Sequence, residues 1–206
     1  MPRRPGSDPE PLARAKTRLR SRMLQRRAER DPLEAEPAGR RVSELVIATP
    51  EFAAALRVAL YAARADELPS RCCFDAVLSS GREALLPRME AGQRLSFRRV
   101  DHWEALVPGR FGILEPDSSA PATRLEEGDL VLLPGVAFDR EGHRLGRGTG
   151  YYDSSLPVGP YAPVYFGLGF EFQVVEAVPH GSRDVRMDAI VTERGICRRA
   201  GARTGR

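Results

Sequence analysis

Lysine is almost missing from this 206-residue sequence: of 32 basic side chains, Lys16 alone is a lysine and the rest are arginine. A solitary ammonium in an arginine-rich chain points to a site where a compact point charge serves and a guanidinium fork does not. Cysteine is scarce too. Cys72 and Cys73 are adjacent, Cys197 is remote, and no C-x-x-C occurs. That excludes a disulfide framework and a cysteine zinc site, and it fits a reducing cytoplasm. His102, His143 and His180 are far apart and show no metal spacing; His143 reads as a loop residue. The longest apolar stretch, Leu130 to Phe138, is broken by Pro134 and Gly135, which excludes a membrane span. The opening MPRRPGSDPEP has no apolar core of a secretory signal. A cytoplasmic protein without membrane association is expected. No internal repeat and no low-complexity block is found.

The charge that is present is uneven. Residues 1–41 carry 12 basic and 6 acidic side chains, and residues 194–206 carry 5 arginines and no acid. The body between them is net acidic, although the whole chain is +4. Basic ends can hold nucleic acid nonspecifically. No aromatic-basic platform accompanies them, so a solvated helix face and a frayed tail are the plainer account and a nucleic-acid partner is not expected.

Periodicity gives an outline. Residues 1–11, with four prolines, read as a disordered tail. Leu12, Ala15, Leu19 and Met23 recur at helical spacing, so 12–30 reads as an amphipathic helix with Lys16 and Arg20 one turn apart. Further helices are expected at 38–48 and 71–80, the latter capped by Ser70, with a helical turn over 51–56. Strands are expected at 57–62, 84–86, 94–100, 130–133, 164–168 and 189–192, and 103–121 reads as loop. Leu130 to Leu133 is apolar at every position, as a strand buried on both faces of a parallel sheet would be. The alternation predicts one α/β domain over 12–193, a three-layer, Rossmann-like, mostly parallel sheet flanked by helices, with 194–206 as a basic C-terminal tail.

The segment DLVLLPGVAFDREGHRLGRGTGYYDSSL, residues 129–156, carries the chemistry. A buried strand ends at Pro134-Gly135, and Gly146-Arg147-Gly148-Thr149-Gly150 runs into an expected helix over Tyr151–Leu156. Ligands of open α/β sheets bind beyond the carboxyl ends of strands. A glycine loop entering a helix offers backbone N–H groups to an anion. Arg144 and Arg147 add bidentate donors, and Asp153 is placed to share a Mg²⁺ ion with phosphates. The pattern is neither a P-loop nor G-x-G-x-x-G.

This segment resembles the signature of the 5-formyltetrahydrofolate cyclo-ligase family, also called 5,10-methenyltetrahydrofolate synthetases. Three other stretches agree in order and spacing: KTRLRSRMLQRR at 16–27, Phe111 to Pro116 (FGILEP), and Asp184 to Glu193 (DVRMDAIVTE). The resemblance implies a Rossmann-like fold of the sugar-phosphate-isomerase type and an ATP- and Mg²⁺-dependent conversion of 5-formyltetrahydrofolate to 5,10-methenyltetrahydrofolate, with release of ADP and phosphate. It implies that ATP is held by Lys16, Arg20 and the run Arg144, Leu145, Gly146, Arg147, Gly148, Thr149, Gly150, Tyr151 and Tyr152. Glu67 would recognise the pterin and Phe111 would stack on the folate, with Arg147, Gly148, Thr149, Gly150 and Tyr151 bordering it. Lys16, Arg147 and Tyr151 would be catalytic, and Asp153 and Asp188 would hold Mg²⁺. The partners would be small molecules only, and a monomer is expected.

Each residue has a plainer alternative. Lys16 and Arg20 are surface charges on a helix in one account, Asp188 ends the last strand, and Glu67 is solvated. Phe111 and the tyrosines would then simply pack. Thr149 stands where Gly or Lys is commoner in the family, and Arg183 where His is common. A diverged relative that binds a nucleotide or folate-like ligand without this activity is the alternative.

Overall fold

The computed structural model describes residues 11–203, so the expected tail over 1–11 lies, save Pro11, outside the described residues. The elements in chain order are α1 (Leu12–Ala28), α2 (Ala35–Ile47), α3 (Pro50–Ala54), β1 (Arg57–Ala59), α4 (Arg71–Ser79), β2 (Glu83–Glu90) and β3 (Arg94–Arg99). There follow β4 (Val107–Pro108), β5 (Leu114–Glu115), β6 (Ala122–Thr123), β7 (Leu130–Pro134), β8 (Ala137–Asp139) and β9 (Arg144–Leu145). The chain closes with β10 (Val164–Leu168), β11 (Val174–Val175), β12 (Ala189–Thr192) and β13 (Gly195–Arg198).

Eight strands form one sheet in the order β13-β12-β10-β7-β1-β2-β3-β6. Its centre, from β12 through β2, is parallel, and β13, β3 and β6 add antiparallel edges. The apolar run of β7 sits at the middle, buried at Leu130, Val131, Leu132 and Leu133. Alternate strand residues serve opposite faces. Val58, Leu60, Leu130, Leu132 and Phe166 join Val42 and Val46 of α2, Phe52 of α3, and Phe74 and Val77 of α4. Ala59, Leu85, Val131, Leu133 and Ile190 meet Phe138, Leu156, Ala162, Val185 and Met187 instead. The structure is thus a mixed α/β fold, and among the described residues α2, α3 and α4 pack on one face of the sheet while β8 and loop segments cover the other, so the expected helical layer on both faces is corrected. Pro157, Gly159, Pro160, Pro163, Pro179 and Gly181 crowd the segments that cover the second face, and they cannot sustain helix there. α1 sits over the small sheet β11-β8-β9, where Leu19 and Met23 pack on Val136, Ala137 and Leu145.

Three local expectations are corrected. Tyr151–Leu156 forms turns and no helix; its isolated bonds from Ser154 N–H to Gly150 and from Leu156 N–H to Tyr152 stop before Pro157. Ser70 does not cap α4, because its hydroxyl donates to the Tyr61 carbonyl. The basic C-terminal segment is, over its described residues, part of the sheet through β13, and Arg198, Arg199 and Arg203 have buried partners. Arg198 pairs with buried Glu51, and Arg199 and Arg203 both hold Asp188 at 3.0 Å. The strand β1 proper ends at Ala59, and Leu60 continues through one bond to the Leu85 carbonyl.

Candidate active site

From β1 the chain proceeds to β2 on one side, while β7 lies on its other side and leads outward to β10 and β12. Strand order therefore reverses between β1 and β7, the place where open α/β sheets leave a crevice. A cleft of about 760 Å³ opens there, lined by Tyr61, Ala62, Arg64 and Glu67 after β1 and by Pro134, Gly135 and Val136 after β7. α1 contributes Lys16 and Arg20, and the run from Arg144 to Ser154 lines it throughout. The cleft is completed by residues of β2 and β3, by Phe111 and Ile113 to Glu115, and by Arg183 and Asp184.

The glycine loop is held from three sides. Arg20 donates from Nε to the Gly146 carbonyl at 2.9 Å. A Cβ on Gly148, whose φ is +99°, would lie 3.2 Å from the Arg20 guanidinium carbon, so the close approach needs glycine twice over. Arg144, 6% exposed, donates to the Pro134 carbonyl at 3.2 Å and to Asp153 Oδ1 at 3.1 Å, with its guanidinium over the Tyr152 ring. Its Nε is buried without a hydrogen-bond partner. Arg147 reaches the other way, to Glu67 Oε1 at 3.2 Å and to both oxygens of Asp66 at 2.6 Å. Beneath them the Arg27 side chain is fully buried and donates to the Asp66 carbonyl at 2.7 Å. Burial lowers its pKa, while Asp66 and Glu67 push the other way. Burial alone would raise the Asp66 carboxyl, yet Arg27 and Arg147 hold it below its ordinary value.

Lys16 Nζ is 2.5 Å from Asp184 Oδ2, which also accepts the Gly181 N–H at 2.7 Å. Against the effect of burial, these donors keep the Asp184 carboxyl low. Tyr151 and Tyr152 are both half-buried and line the cleft, and burial raises the Tyr152 phenol. Thr149 and Gly150 are exposed at the cleft. Leu145 offers backbone only, since its side chain packs in the core with Leu19 and Met23. Phe111 stands 66% exposed at the cleft with φ of +57°, a left-handed conformation rare for a bulky residue.

The structure thus gathers Lys16, Arg20, Glu67, Phe111, Arg144 to Tyr152 and Asp153 around one cleft. It does not bring Asp188 there. That carboxylate is fully buried, accepts the Tyr165 N–H at 3.0 Å, and is saturated by Arg199 and Arg203. Its pairing with Asp153 as a metal ligand is corrected accordingly: Asp188 ties the last strands and the C-terminal arginines together. Asp184, four residues earlier in the same DVRMD stretch, is the acid in the cleft, and Asp66 stands beside Glu67. Asp184 lay within a motif visible in the sequence and Asp66 did not, and the roles of both depend on partners distant in the chain. Outside the cleft, His143 bonds Asp139 at 3.0 Å and stacks on His180 at 3.6 Å, an encounter sequence spacing did not foretell.

The family model for 5-formyltetrahydrofolate cyclo-ligases matches residues 13–193. The chain belongs to the 5-formyltetrahydrofolate cyclo-ligase family. Among its cyclo-ligase relatives, a probable 5-formyltetrahydrofolate cyclo-ligase of Schizosaccharomyces pombe is 28% identical over 172 residues, covering 76% of this chain and 84% of the relative. The 5-formyltetrahydrofolate cyclo-ligase of Escherichia coli is 29% identical, with 82% and 94% covered. The structure of Aquifex aeolicus 5,10-methenyltetrahydrofolate synthetase superposes with a TM-score of 0.75 at 34% identity, covering 93% of this chain and 94% of that one. The family match spans α1 through β12, so it takes in every segment that lines the cleft.

Proposed function

We propose that the protein joins ATP cleavage to ring closure, converting 5-formyltetrahydrofolate to 5,10-methenyltetrahydrofolate with release of ADP and phosphate. The observation that carries this is one continuous cleft in which a cationic, glycine-lined end meets a carboxylate, Glu67, and an exposed aromatic ring, Phe111. A polyanion and a flat heterocycle with N–H donors are accommodated together, as phosphoryl transfer between them requires.

The formyl oxygen is a poor leaving group until it is phosphorylated. Transfer of the γ-phosphoryl group asks for alignment and charge neutralisation more than for a protein nucleophile. Lys16 and Arg20 approach the triphosphate from α1. Arg144 and Arg147 and the backbone of Gly146 to Gly150 surround it, with Thr149 adding a hydroxyl donor and Tyr151 and Tyr152 closing the wall. Glu67 accepts from the amino and ring N–H groups of the pterin, Phe111 stacks on its plane, and the tyrosine rings help exclude water.

Among the described residues no group of three metal-ligating side chains exists. Mg²⁺ shared with phosphates needs only one or two carboxylates. Asp153 fits that role, lining the cleft with its carboxylate part exposed. Bound there, the ion would neutralise phosphate charge. Free thiols at Cys72, Cys73 and Cys197 support a reducing, cytoplasmic setting. No helix among the described residues is long and apolar enough to cross a membrane. The sheet arrangement supports assignment to the Rossmann-like, sugar-phosphate-isomerase type, with residues 12–193 as one domain. Mixing the protein with 5-formyltetrahydrofolate and MgATP and following methenyl product by near-ultraviolet absorbance tests the reading. ATP-dependent product at a rate proportional to protein is expected, and its absence with folded protein overturns it.

A further inference from the structure

Among the described residues four carboxylates line the cleft: Glu67, Glu115, Asp153 and Asp184. Three of them already hold a cation within hydrogen-bonding reach, Glu67 to Arg147 at 3.2 Å, Asp153 to Arg144 at 3.1 Å and Asp184 to Lys16 at 2.5 Å. A carboxylate so paired is a poor proton acceptor, because protonation breaks the pair. Glu115 differs. It is 3% exposed, in a wall otherwise made by Pro87, Met89, Leu95, Phe111 and Ile113. Its Oε1 is buried without a hydrogen-bond partner. Its Oε2 is 3.7 Å from Arg88 Nη1, which instead donates to the Pro116 carbonyl at 2.8 Å. Arg88 and Arg110 are the charged groups that face it, together with backbone of Met89 and Arg110. Burial outweighs all of them and raises the carboxyl above its ordinary value.

The chain also makes room for this group. A Cβ on Gly109 would lie 2.3 Å from the Glu115 carboxyl carbon, so only glycine fits over it. Just beyond, Phe111 and Gly112 both take positive φ, which turns the chain back toward β5 and Glu115. A buried acceptor is normally satisfied within the fold. One left unsatisfied in the wall of a substrate cleft is available to a donor that arrives with the substrate.

The proposed reaction supplies one such donor, and this inference rests on that reading. After phosphoryl transfer, N5 carries a formyl group phosphorylated on its oxygen, whose carbon is electrophilic. The N10 lone pair forms a bond to that carbon, the C–O bond to phosphate breaks, and N5=CH–N10 remains as the methenyl cation. The proton on N10 has to leave, and no oxidant, reductant or further co-reactant is involved. We propose that Glu115 is the catalytic base that accepts the N10–H as a hydrogen bond and takes its proton as the ring closes, passing it afterwards to the departing phosphate or to solvent.

Single turnovers of the Glu115→Gln variant test this, with ADP measured by rapid quench and methenyl product by absorbance. Wild-type turnover in the same experiment separately tests the underlying reading. ADP formation within a few-fold of wild type, with ring closure slowed about 10²–10³-fold, is expected for loss of a general base. Ring closure that keeps pace with ADP overturns the proposal. So does an equal slowing of both with a lowered thermal midpoint, which marks a structural role. Should the variant not fold, the wild-type protein decides: the ring-closure step has to lose rate as pH falls while the ADP step does not, and a flat ring-closure profile overturns the assignment.

Discussion

Arg147 Nη2 lies 2.6 Å from each carboxylate oxygen of Asp66, 81 residues earlier in the chain. The cation that should serve the phosphates is therefore tied to the acids at the pterin end, and a ligand that engages either partner frees the other. Asp66→Asn should loosen this tie. Isothermal titration should then show ATP binding a few-fold tighter in the absence of folate, in line with ~0.2–1 kcal/mol for a part-exposed pair. Unchanged or weaker ATP binding would show that Asp66 does not restrain Arg147.

Lys16 sits on α1 facing the cleft, where its ammonium pairs with Asp184. Lys16→Ala should raise the KM for ATP roughly tenfold or more, as loss of a charged hydrogen bond of about 1.5–3 kcal/mol implies, and leave that for folate within a few-fold. Equal rises in both constants would instead mean that the residue only seats the helix.

Asp153 has two demands on one oxygen, the Arg144 Nη2 at 3.1 Å and the Val185 N–H at 3.3 Å. If it also meets Mg²⁺, Asp153→Asn should shift the Mg²⁺ dependence of turnover to higher concentration and cut the rate sharply. A rate loss with an unchanged Mg²⁺ midpoint would assign the residue to holding Arg144 alone.

Phe138 is fully buried against glycines: a Cβ on Gly167 would lie 2.5 Å from its ring and one on Gly135 2.4 Å. Gly167→Ala should cost about 1–3 kcal/mol by overpacking, read as a lower midpoint in urea unfolding. The smaller ring substitute Phe138→Leu, added to it, should restore part of the loss. If Gly167→Ala leaves the midpoint unchanged, the ring has space that the structure does not show.

Burial would raise the Asp139 carboxyl, but N–H groups of Val178 and His143 and the His143 ring hold it below its ordinary value. A folded-state value below the unfolded value of about 4 stabilises the fold above that pH and is lost as pH falls through the folded value. Asp139→Asn should therefore be less stable near neutral pH by about 1–3 kcal/mol and show a shallower loss of stability on acidification below about pH 4. Parallel pH profiles for variant and wild type would contradict this.

Much of the cleft was legible because its glycines, arginines and Asp153 lie in one stretch, residues 129–156, after a strand whose apolar run announces a buried sheet. Lys16 and Arg20 were legible from helical spacing. Asp188 was not, since an aspartate in a motif looks the same whether it faces a ligand or two arginines. Its partners Arg199 and Arg203 come from the segment that composition alone marked as a loose basic tail.

The sequence by itself determined the strands β1, β2, β3, β7, β10 and β12 of the main sheet, the helices α1, α2 and α4, and the chemical character of the glycine loop. These follow from local periodicity and from residue types whose backbone preferences do not depend on distant neighbours. Only the tertiary structure decided which charges meet. It paired Arg147 with Asp66 and Glu67, turned Tyr151–Leu156 away from helix, buried Asp188, and left one oxygen of Glu115, Oε1, without a hydrogen-bond partner. Each of those outcomes is a competition among donors and acceptors far apart in the chain, and it is settled only when folding brings the competitors within hydrogen-bonding distance.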